Sequence, residues 1–223
     1  MSSIYSGRIG ISIFGESHGA AIGAVLDGIP AGEKIDFEQV YLQMQRRAPG
    51  MSDTATERKE SDRPKVISGV TNGYTTGAPI CGIIENENAK SKSYENLKNL
   101  VRPGHSDYTA HVKYRGFNDA RGGGHLSGRL TAALTFCGTI CRQILERRGV
   151  LIGYSIFDVF DGQFGVKIPA ELLRRLSQET FPVINAAAKE KMVQKILWAK
   201  SEGDSIGGII ECAVDNVPPG LGD

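Results

Sequence analysis

Three consecutive glycines, Gly122 to Gly124, stand a few residues before the strongest helical pattern in the sequence. That pattern runs over residues 131–148 and has a stripe of apolar side chains at helical spacing: Leu134, Cys137, Cys141, Ile144 and Leu145. Glycines ahead of a helix allow the backbone to approach a ligand closely, and the helix end directs N–H groups toward an anion. Since Arg121 and Arg129 flank the segment, the sequence predicts a loop that binds an anionic ligand.

Strand and helix patterns follow each other irregularly along the rest of the chain. Helices are predicted after Asp36 and Asn185, which are suitable capping residues, and after Pro169, while Pro49 ends the first of them. Alternating or continuous apolar runs predict strands over residues 8–14, 21–26, 65–70, 79–84, 150–157 and 209–214, with a turn at residues 71–73. Because no regular βαβ rhythm or internal repeat is present, the pattern indicates an α+β fold.

Composition excludes several classes of function. The 26 basic and 25 acidic residues nearly cancel, so there is no overall field to attract nucleic acid. No apolar run approaches the roughly 18 residues that a membrane helix needs, and the first ten residues do not resemble a secretory signal. The four cysteines contain no C-x-x-C pair, which favours core packing over a disulfide or metal site. We therefore expect a cytoplasmic protein that binds neither nucleic acid nor membrane.

A first motif that can carry chemistry, Gly15-Glu16-Ser17-His18-Gly19, follows the first predicted strand. The flanking glycines permit a sharp turn close to a ligand. The motif formally fits the G-x-S-x-G pattern of serine hydrolases, but that elbow requires a helix after the serine, and residues 21–26 are predicted as a strand. A polar turn with a surface histidine is the simpler alternative.

A second motif lies within a long polar stretch, residues 85–129, which we interpret as an ordered wall of a site. There Pro103-Gly104 predicts a turn, and His105 follows between Arg102 and Asp107. A histidine beside an arginine can donate a proton near neutral pH, although a structural histidine in a turn is the alternative.

Basic and metal-ligating side chains complete the inventory. Arginines outside the glycine loop suggest a small polyanionic ligand, since guanidinium suits phosphate and carboxylate: Arg46, Arg47, Arg58, Arg63, Arg102 and Arg115. The four histidines show no ligand spacing with cysteine or carboxylate, so no metal site is predicted.

Five segments, found in the same order, resemble segments of chorismate synthases. They are GESHGAAIGAVLDGIP (Gly15 to Pro30), RRAPG (Arg46 to Gly50), RPGHSDYT (Arg102 to Thr109), GGGHLSGRLTAALTFCGTI (Gly122 to Ile140) and GDSIGG (Gly203 to Gly208). The resemblance implies an incomplete β-α-β sandwich of the chorismate synthase type, and a homotetramer at full length. It also implies a lyase of the shikimate pathway, which removes phosphate and a ring proton in an anti-1,4-elimination from the small molecule 5-enolpyruvylshikimate 3-phosphate to give chorismate. That reaction requires reduced FMN although it is redox-neutral, and NADPH is the candidate reductant of the flavin.

By this resemblance, four residues would take part in proton transfer. His18 would protonate the departing phosphate, and His105 would protonate or stabilise the reduced flavin near its pyrimidine ring. Ser17 and Ser127 would tune these groups through hydrogen bonds.

The resemblance also implies binding roles. Arg47, Arg102 and Arg129 would hold the substrate's phosphate and carboxylates. His125, Leu126 and Ser127 would lie along the flavin, with Arg47 as a further cofactor contact.

The chain is shorter than members of that family, so we expect residues 1–223 to be the N-terminal part of a single chorismate synthase domain. Two alternatives follow. One is an inactive or binding-only fragment that retains affinity without turnover. The other is an unrelated phosphotransferase that uses the glycine loop with Mg²⁺ on Asp107, Asp119 and Asp204.

Overall fold

The computed structural model describes residues 3–50, 53–55, 60–87, 100–158 and 169–221, so Arg58 lies outside the described residues. The chain divides into two compact units. The first consists of Met1–Met51 and Glu57–Cys141, and the second of Ser52–Thr56 and Arg142–Asp223.

An antiparallel sheet of five strands forms the first unit's framework. In chain order the strands of this unit are β1 (Ile4–Ser6), β2 (Gly10–Gly15), β3 (Ala21–Asp27), β4 (Lys65–Ser68), β5 (Val70–Thr71), β6 (Tyr74–Thr75) and β7 (Ile80–Glu85). The large sheet has the order β1-β2-β3-β7-β4, while β5 and β6 form a separate hairpin. The first motif therefore begins at a strand end, since Gly15 is the last residue of β2.

Among the described residues, the helices α1 (Phe37–Arg47) and α2 (Asp107–Lys113) belong to the first unit, and α3 (Thr131–Arg147) begins in it and continues beyond Cys141. The Asp36 carboxylate accepts hydrogen bonds from the backbone N–H groups of Glu38 and Gln39, at 2.9 and 3.2 Å, as predicted for an N-cap. One 3-10 turn, Gly128–Leu130, precedes α3, and before it Arg121–Leu126 form a kinked segment in which Gly122, Gly123 and Gly124 have non-helical backbone angles.

The core of the first unit lies between the sheet and α3. Ile22, Ala24 and Leu26 alternate along β3 and are fully buried, as strand periodicity requires. Buried side chains of α3, chiefly Phe136 and Ile140, face the same interior. A Cβ at Gly82 of β7 would overlap the Phe136 ring, so this glycine sets how closely the helix approaches the sheet.

The second unit pairs β8 (Leu151–Asp158) with β9 (Ile209–Asp215) in antiparallel fashion. It also contains α4 (Ala170–Leu176) and α5 (Ala186–Ser201). The side chain of Asn185 accepts hydrogen bonds from the first turn of α5, which confirms the predicted cap. A small core around Val183 and Met192 lies in this unit.

Most predicted elements are confirmed, with three differences. The turn at residues 71–73 joins β5 to β6, whereas β4 and β7 pair without being joined by it. The short elements β1 and α2 were not predicted. None of the described helices has the length and apolar character needed to cross a membrane.

Candidate functional site

The three consecutive glycines lie in an unusual backbone conformation. Gly122, Gly123 and Gly124 have φ angles of 57°, 84° and 55°, all in the left-handed region that residues with a side chain rarely adopt. Asp119 supports the loop from outside, since a Cβ at Gly124 would overlap its carbonyl oxygen. The loop is therefore a tightly folded turn that places bare backbone toward its neighbours.

Two histidines pack against this bare backbone. A Cβ at Gly122 would overlap the imidazole of His18, and one at Gly123 would lie 3.0 Å from Cε1 of His105. Ser127 is beside the same glycine, since its Cβ would lie 3.7 Å from a Cβ added at Gly123. The structure thus brings together His18, His105 and Ser127, which come from three separate sequence motifs.

The Gly15–Gly19 motif forms a tight turn held against the glycine loop. Gly19 N–H donates to the Glu16 carbonyl at 3.0 Å, and Ser17 N–H donates to the Gly124 carbonyl at 3.1 Å. His18 is only 7% exposed, so the surface-histidine alternative is wrong. The chain continues directly into β3 rather than a helix, which also excludes the serine-hydrolase elbow.

His125 joins the loop to the start of the chain. Its Nδ1 lies 2.7 Å from the Gly15 carbonyl oxygen, and its Nε2 lies 2.5 Å from the Ser3 hydroxyl. A carbonyl only accepts, so Nδ1 carries a proton and the ring orientation is fixed. Leu126 and Ser127 follow His125 in the chain, and Ser127 Oγ accepts from Arg129 N–H at 3.3 Å.

His105 stands in a charged cluster just before α2. Arg102 donates from Nε and Nη2 to the two carboxylate oxygens of Asp107, at 2.8 and 2.9 Å. These hydrogen bonds lower the pKa of Asp107 to about 2. His105 Nδ1 lies 3.3 Å from Asp107 Oδ1, and its side chain is 38% exposed. The cluster combines an accessible imidazole with a fixed ion pair.

Arg129 and Arg47 meet on a single buried carboxylate. Arg47 Nη1 donates to Asp62 Oδ2 at 2.6 Å, and Arg129 Nη1 donates to the other oxygen of Asp62. Arg129 Nη2 also lies 3.7 Å from Glu60 Oε2. The Arg129 side chain is 4% exposed and that of Arg47 is 23% exposed. Two arginines and two carboxylates therefore balance their charges in the interior.

A cavity of about 360 Å³ adjoins the glycine loop. Its lining combines apolar, aromatic and acidic groups: Glu16, Tyr114, Phe117, Asp119, His125 and Leu126. Burial raises the pKa of Glu16, and the neighbouring Asp119 carboxylate raises it further. Hydrogen bonds from Arg121, at 2.8 and 2.7 Å, lower the pKa of Asp119. Such a cavity suits a planar ligand with an apolar face and a polar edge.

The residues proposed for a Mg²⁺ site are arranged differently. Asp107 and Asp119 each pair with an arginine, and Asp204 lies in the second unit. Within the described ranges, no group of three or more His, Cys, Asp or Glu side chains could hold a metal ion. The geometry gives the phosphotransferase alternative no support.

Sequence reasoning missed Asp62, Glu60 and Asn86, which bind the arginines and the Glu16–Gly19 turn. No motif marks them, because each lies outside the glycine-bracketed segments. A signal was available only for Asn86. It lies just beyond the strongly apolar strand predicted over residues 79–84, at the same end of the sheet as the first motif.

Comparisons with known proteins agree on one family. The family model described as Chorismate synthase matches residues 9–223. The chorismate synthase of Thermococcus kodakarensis is 42% identical over 214 residues, which cover 96% of this chain and 59% of that protein. The enzyme of Pyrococcus abyssi is 44% identical over 217 residues, covering 97% and 60%.

A solved structure is similar as well. The chain described as "Crystal Structure of Chorismate Synthase" matches with a TM-score of 0.73 and 25% identity, over 96% of this chain and 59% of that one. The present chain therefore spans about three fifths of the length of the proteins it matches.

Proposed function

The chain belongs to the chorismate synthase family, and we propose that its site eliminates phosphate and a ring proton from 5-enolpyruvylshikimate 3-phosphate to give chorismate. The observation that carries the proposal is the packing of His18 and His105 on adjacent glycines of one loop. Two proton-carrying groups beside bare backbone and several arginines suit a reaction that expels an anion.

We propose His18 as the acid that protonates the departing phosphate. Negative charge develops on the leaving oxygens as the bond breaks, so a proton supplied from a site with little water favours the transition state. The burial of His18 and the rigid turn that carries it fit this role. We assign Ser17 and Ser127 to hydrogen bonds that adjust the two histidines, since both serines lie against the same glycines.

We propose that the cavity lined by His125 and Leu126 receives the ring of reduced FMN, while Ser127 and Arg47 lie outside its lining. When bound, reduced FMN supplies the electron density that assists loss of the phosphate. We propose that it is held by His125, Leu126, Ser127 and Arg47, with His105 close to its pyrimidine ring. The cavity's apolar and aromatic lining offers a surface for a flat ring, and the fixed orientation of His125 offers a defined polar contact.

We propose that Arg47, Arg102 and Arg129 bind the phosphate and carboxylates of the substrate. Arg102 and Arg47 are partly exposed and able to exchange a bond for a substrate oxygen. Substrate binding by Arg129 would require a change in its hydrogen bonds. Its guanidinium is buried and bonded to Asp62, so a direct contact requires that one of its present bonds be replaced by a bond to substrate.

Three broader assignments follow from the family. We propose that the full-length protein is a homotetramer, that NADPH serves to reduce the flavin, and that the protein works in the cytoplasm. The four unpaired thiols agree with a reducing compartment. We further propose that residues 1–223 form the N-terminal part of one domain.

A second candidate is a binding-only form of the enzyme. The chain spans 59% of the length of the Thermococcus kodakarensis enzyme and of the solved structure that it matches. This form would bind phosphate or flavin without releasing product.

The deciding experiment is anaerobic phosphate release from 5-enolpyruvylshikimate 3-phosphate, with and without chemically reduced FMN. Release that requires flavin supports the elimination. No release, together with measurable binding of FMN or substrate, supports the binding-only form; no release and no binding contradict both.

The same assay tests His18. In His18→Ala we expect kcat to fall by about 10²- to 10⁴-fold with little change in substrate affinity, because the proton is needed only in the transition state. His111→Ala is the matched control, since His111 is exposed on α2. A loss confined to affinity would make His18 a binding residue.

A further inference from the structure

Asn86 holds both ends of the turn that carries Ser17 and His18. It directly follows β7, and its Nδ2 donates to the Glu16 carbonyl at 2.9 Å and to the Gly19 carbonyl at 3.0 Å. Its backbone N–H donates to the Ala20 carbonyl at 3.1 Å. Both amide hydrogens are used, and they bracket the turn from its first residue to its last.

The orientation of this amide is fixed by Arg129. Arg129 Nε donates to Asn86 Oδ1 at 3.1 Å, so the oxygen of the amide faces the guanidinium and the NH₂ group faces the carbonyls. The reversed amide would place a donor against a donor and an oxygen against two carbonyl oxygens. The hydrogen bonding therefore allows one orientation.

Arg129 is in turn held by the buried carboxylate of Asp62 and by the Glu85 carbonyl at 3.4 Å. Buried charged hydrogen bonds of this kind are rigid because breaking one leaves an unpaired charge in the interior. A continuous line of bonds thus runs from Asp62 through Arg129 and Asn86 to the Glu16–Gly19 turn.

We propose that Asn86 is a positioning residue for His18, acting through the Glu16–Gly19 turn, and that Arg129 and Asp62 hold Asn86 in place. The inference rests on the proposed function in that His18 is taken as the acid. The Ser17 bond to Gly124 holds the middle of the turn, and Asn86 holds its ends. Together they keep the imidazole seated on Gly122, where a small displacement would misalign proton transfer.

Asn86→Asp is the sharpest variant, because it keeps the size of the side chain and replaces the donating NH₂ by an oxygen. That oxygen repels the Glu16 and Gly19 carbonyls, so the turn should shift. We expect kcat for flavin-dependent phosphate release to fall by about tenfold to a hundredfold, with KM within about twofold. Asn86→Ser, which retains one donor, should give an intermediate loss.

Asn216→Asp is the matched control. Asn216 also donates from Nδ2 to a backbone carbonyl, that of Gly149, at 3.2 Å, but lies in the second unit. We expect its kcat to equal that of the unaltered chain.

A second readout does not depend on activity. The imidazole C–H resonance of His18, assigned by its loss in His18→Ala, should move in Asn86→Asp and less in Asn86→Ser, while that of the exposed His111 stays in place. Amide exchange at Gly19 should become faster in both variants. If the chain shows no phosphate release at all, the proposed function fails and this readout still decides the positioning role. An unchanged His18 resonance and unchanged Gly19 exchange in both variants would overturn that role, whatever the activity.

Discussion

At the scale of single residues, the site depends on glycine positions, where no Cβ is present. Gly122 has a left-handed φ and also lies where a Cβ would overlap His18, so two separate constraints require glycine. Relaxing the backbone strain alone would not accommodate a side chain, because the imidazole would still have to move. Gly122 is thus required by the packing of His18 as well as by the turn.

We expect Gly122→Ala to lower the free energy of unfolding by about 1–3 kcal/mol, from the strained φ, and to displace His18. Phosphate release should fall more than the loss of folded protein explains. Gly138→Ala is the matched control, because it lies on α3 with no heavy atom within 4 Å of an added Cβ. It should raise stability by about 0.5–1 kcal/mol. Denaturant unfolding of both variants checks this, and equal behaviour would contradict it.

The ion pair between Arg102 and Asp107 should respond to low pH in a defined way. Hydrogen bonds from Arg102 lower the pKa of Asp107 to about 2. A carboxyl whose pKa is depressed by folding contributes stability above its ordinary pKa of about 3.9, and this contribution is lost as the pH falls through the folded value. We therefore expect the Arg102–Asp107 pair to weaken only between about pH 4 and pH 2.

Carboxyl NMR titration of Asp107 measures this directly. In Arg102→Lys the charge remains but the two-pronged geometry is lost, so the pKa of Asp107 should rise toward its ordinary value. A midpoint near the ordinary value in the unaltered chain would show that the pair does not persist in solution.

At the scale of elements, the approach of α3 to the sheet is set at Gly82. A Cβ there would overlap the ring of Phe136, which is itself buried. Since α3 begins two residues after Arg129, a change in this spacing would also reach the residues of the site. Helix packing and site geometry are therefore coupled through one strand position.

We expect Gly82→Ala to cost about 1–3 kcal/mol through overpacking. Phe136→Leu alone should also destabilise, because it leaves a void. In the double variant the smaller side chain makes room for the new methyl group, so the combined loss should be less than the sum of the two. Strict additivity in denaturant unfolding would contradict the contact.

At the scale of the whole molecule, the α+β fold of the chorismate synthase type is confirmed by the solved structure it matches. All the residues proposed for catalysis and binding lie in the first unit, formed by Met1–Met51 and Glu57–Cys141. The second unit, with β8, β9, α4 and α5, contributes none of them. We therefore expect ligand binding to slow hydrogen exchange in the first unit only.

Hydrogen exchange with and without FMN, or with inorganic phosphate as the probe, tests this division. We expect slower exchange at residues 15–19 and 121–129 when the ligand is present, because binding stabilises the turns that contact it. Residues 151–158 and 209–215 of the second unit serve as the internal reference and should not change. Protection confined to that reference would place the ligand elsewhere.

Local patterns in the sequence determined most of the elements and the motifs. Asp36 and Asn185 identified helix starts because their side chains cap the adjacent backbone. The alternation of Ile9, Ile11 and Ile13 identified β2, and a short apolar run identified β3. The strand β1 was not predicted, because all its residues are exposed and its sequence shows no alternation of buried and exposed positions. The five-segment resemblance indicated the family and the candidate histidines.

Only the tertiary structure decided which of these residues meet. His125 and Gly15 are 110 positions apart and bonded, and nothing in either segment encodes the other. Asn86 and Asp62 belong to no motif, yet they hold the turn and the arginines of the site. The physical reason is that burial and backbone propensity act over a few residues, whereas the contacts of a buried polar side chain depend on packing between elements that are distant in the chain.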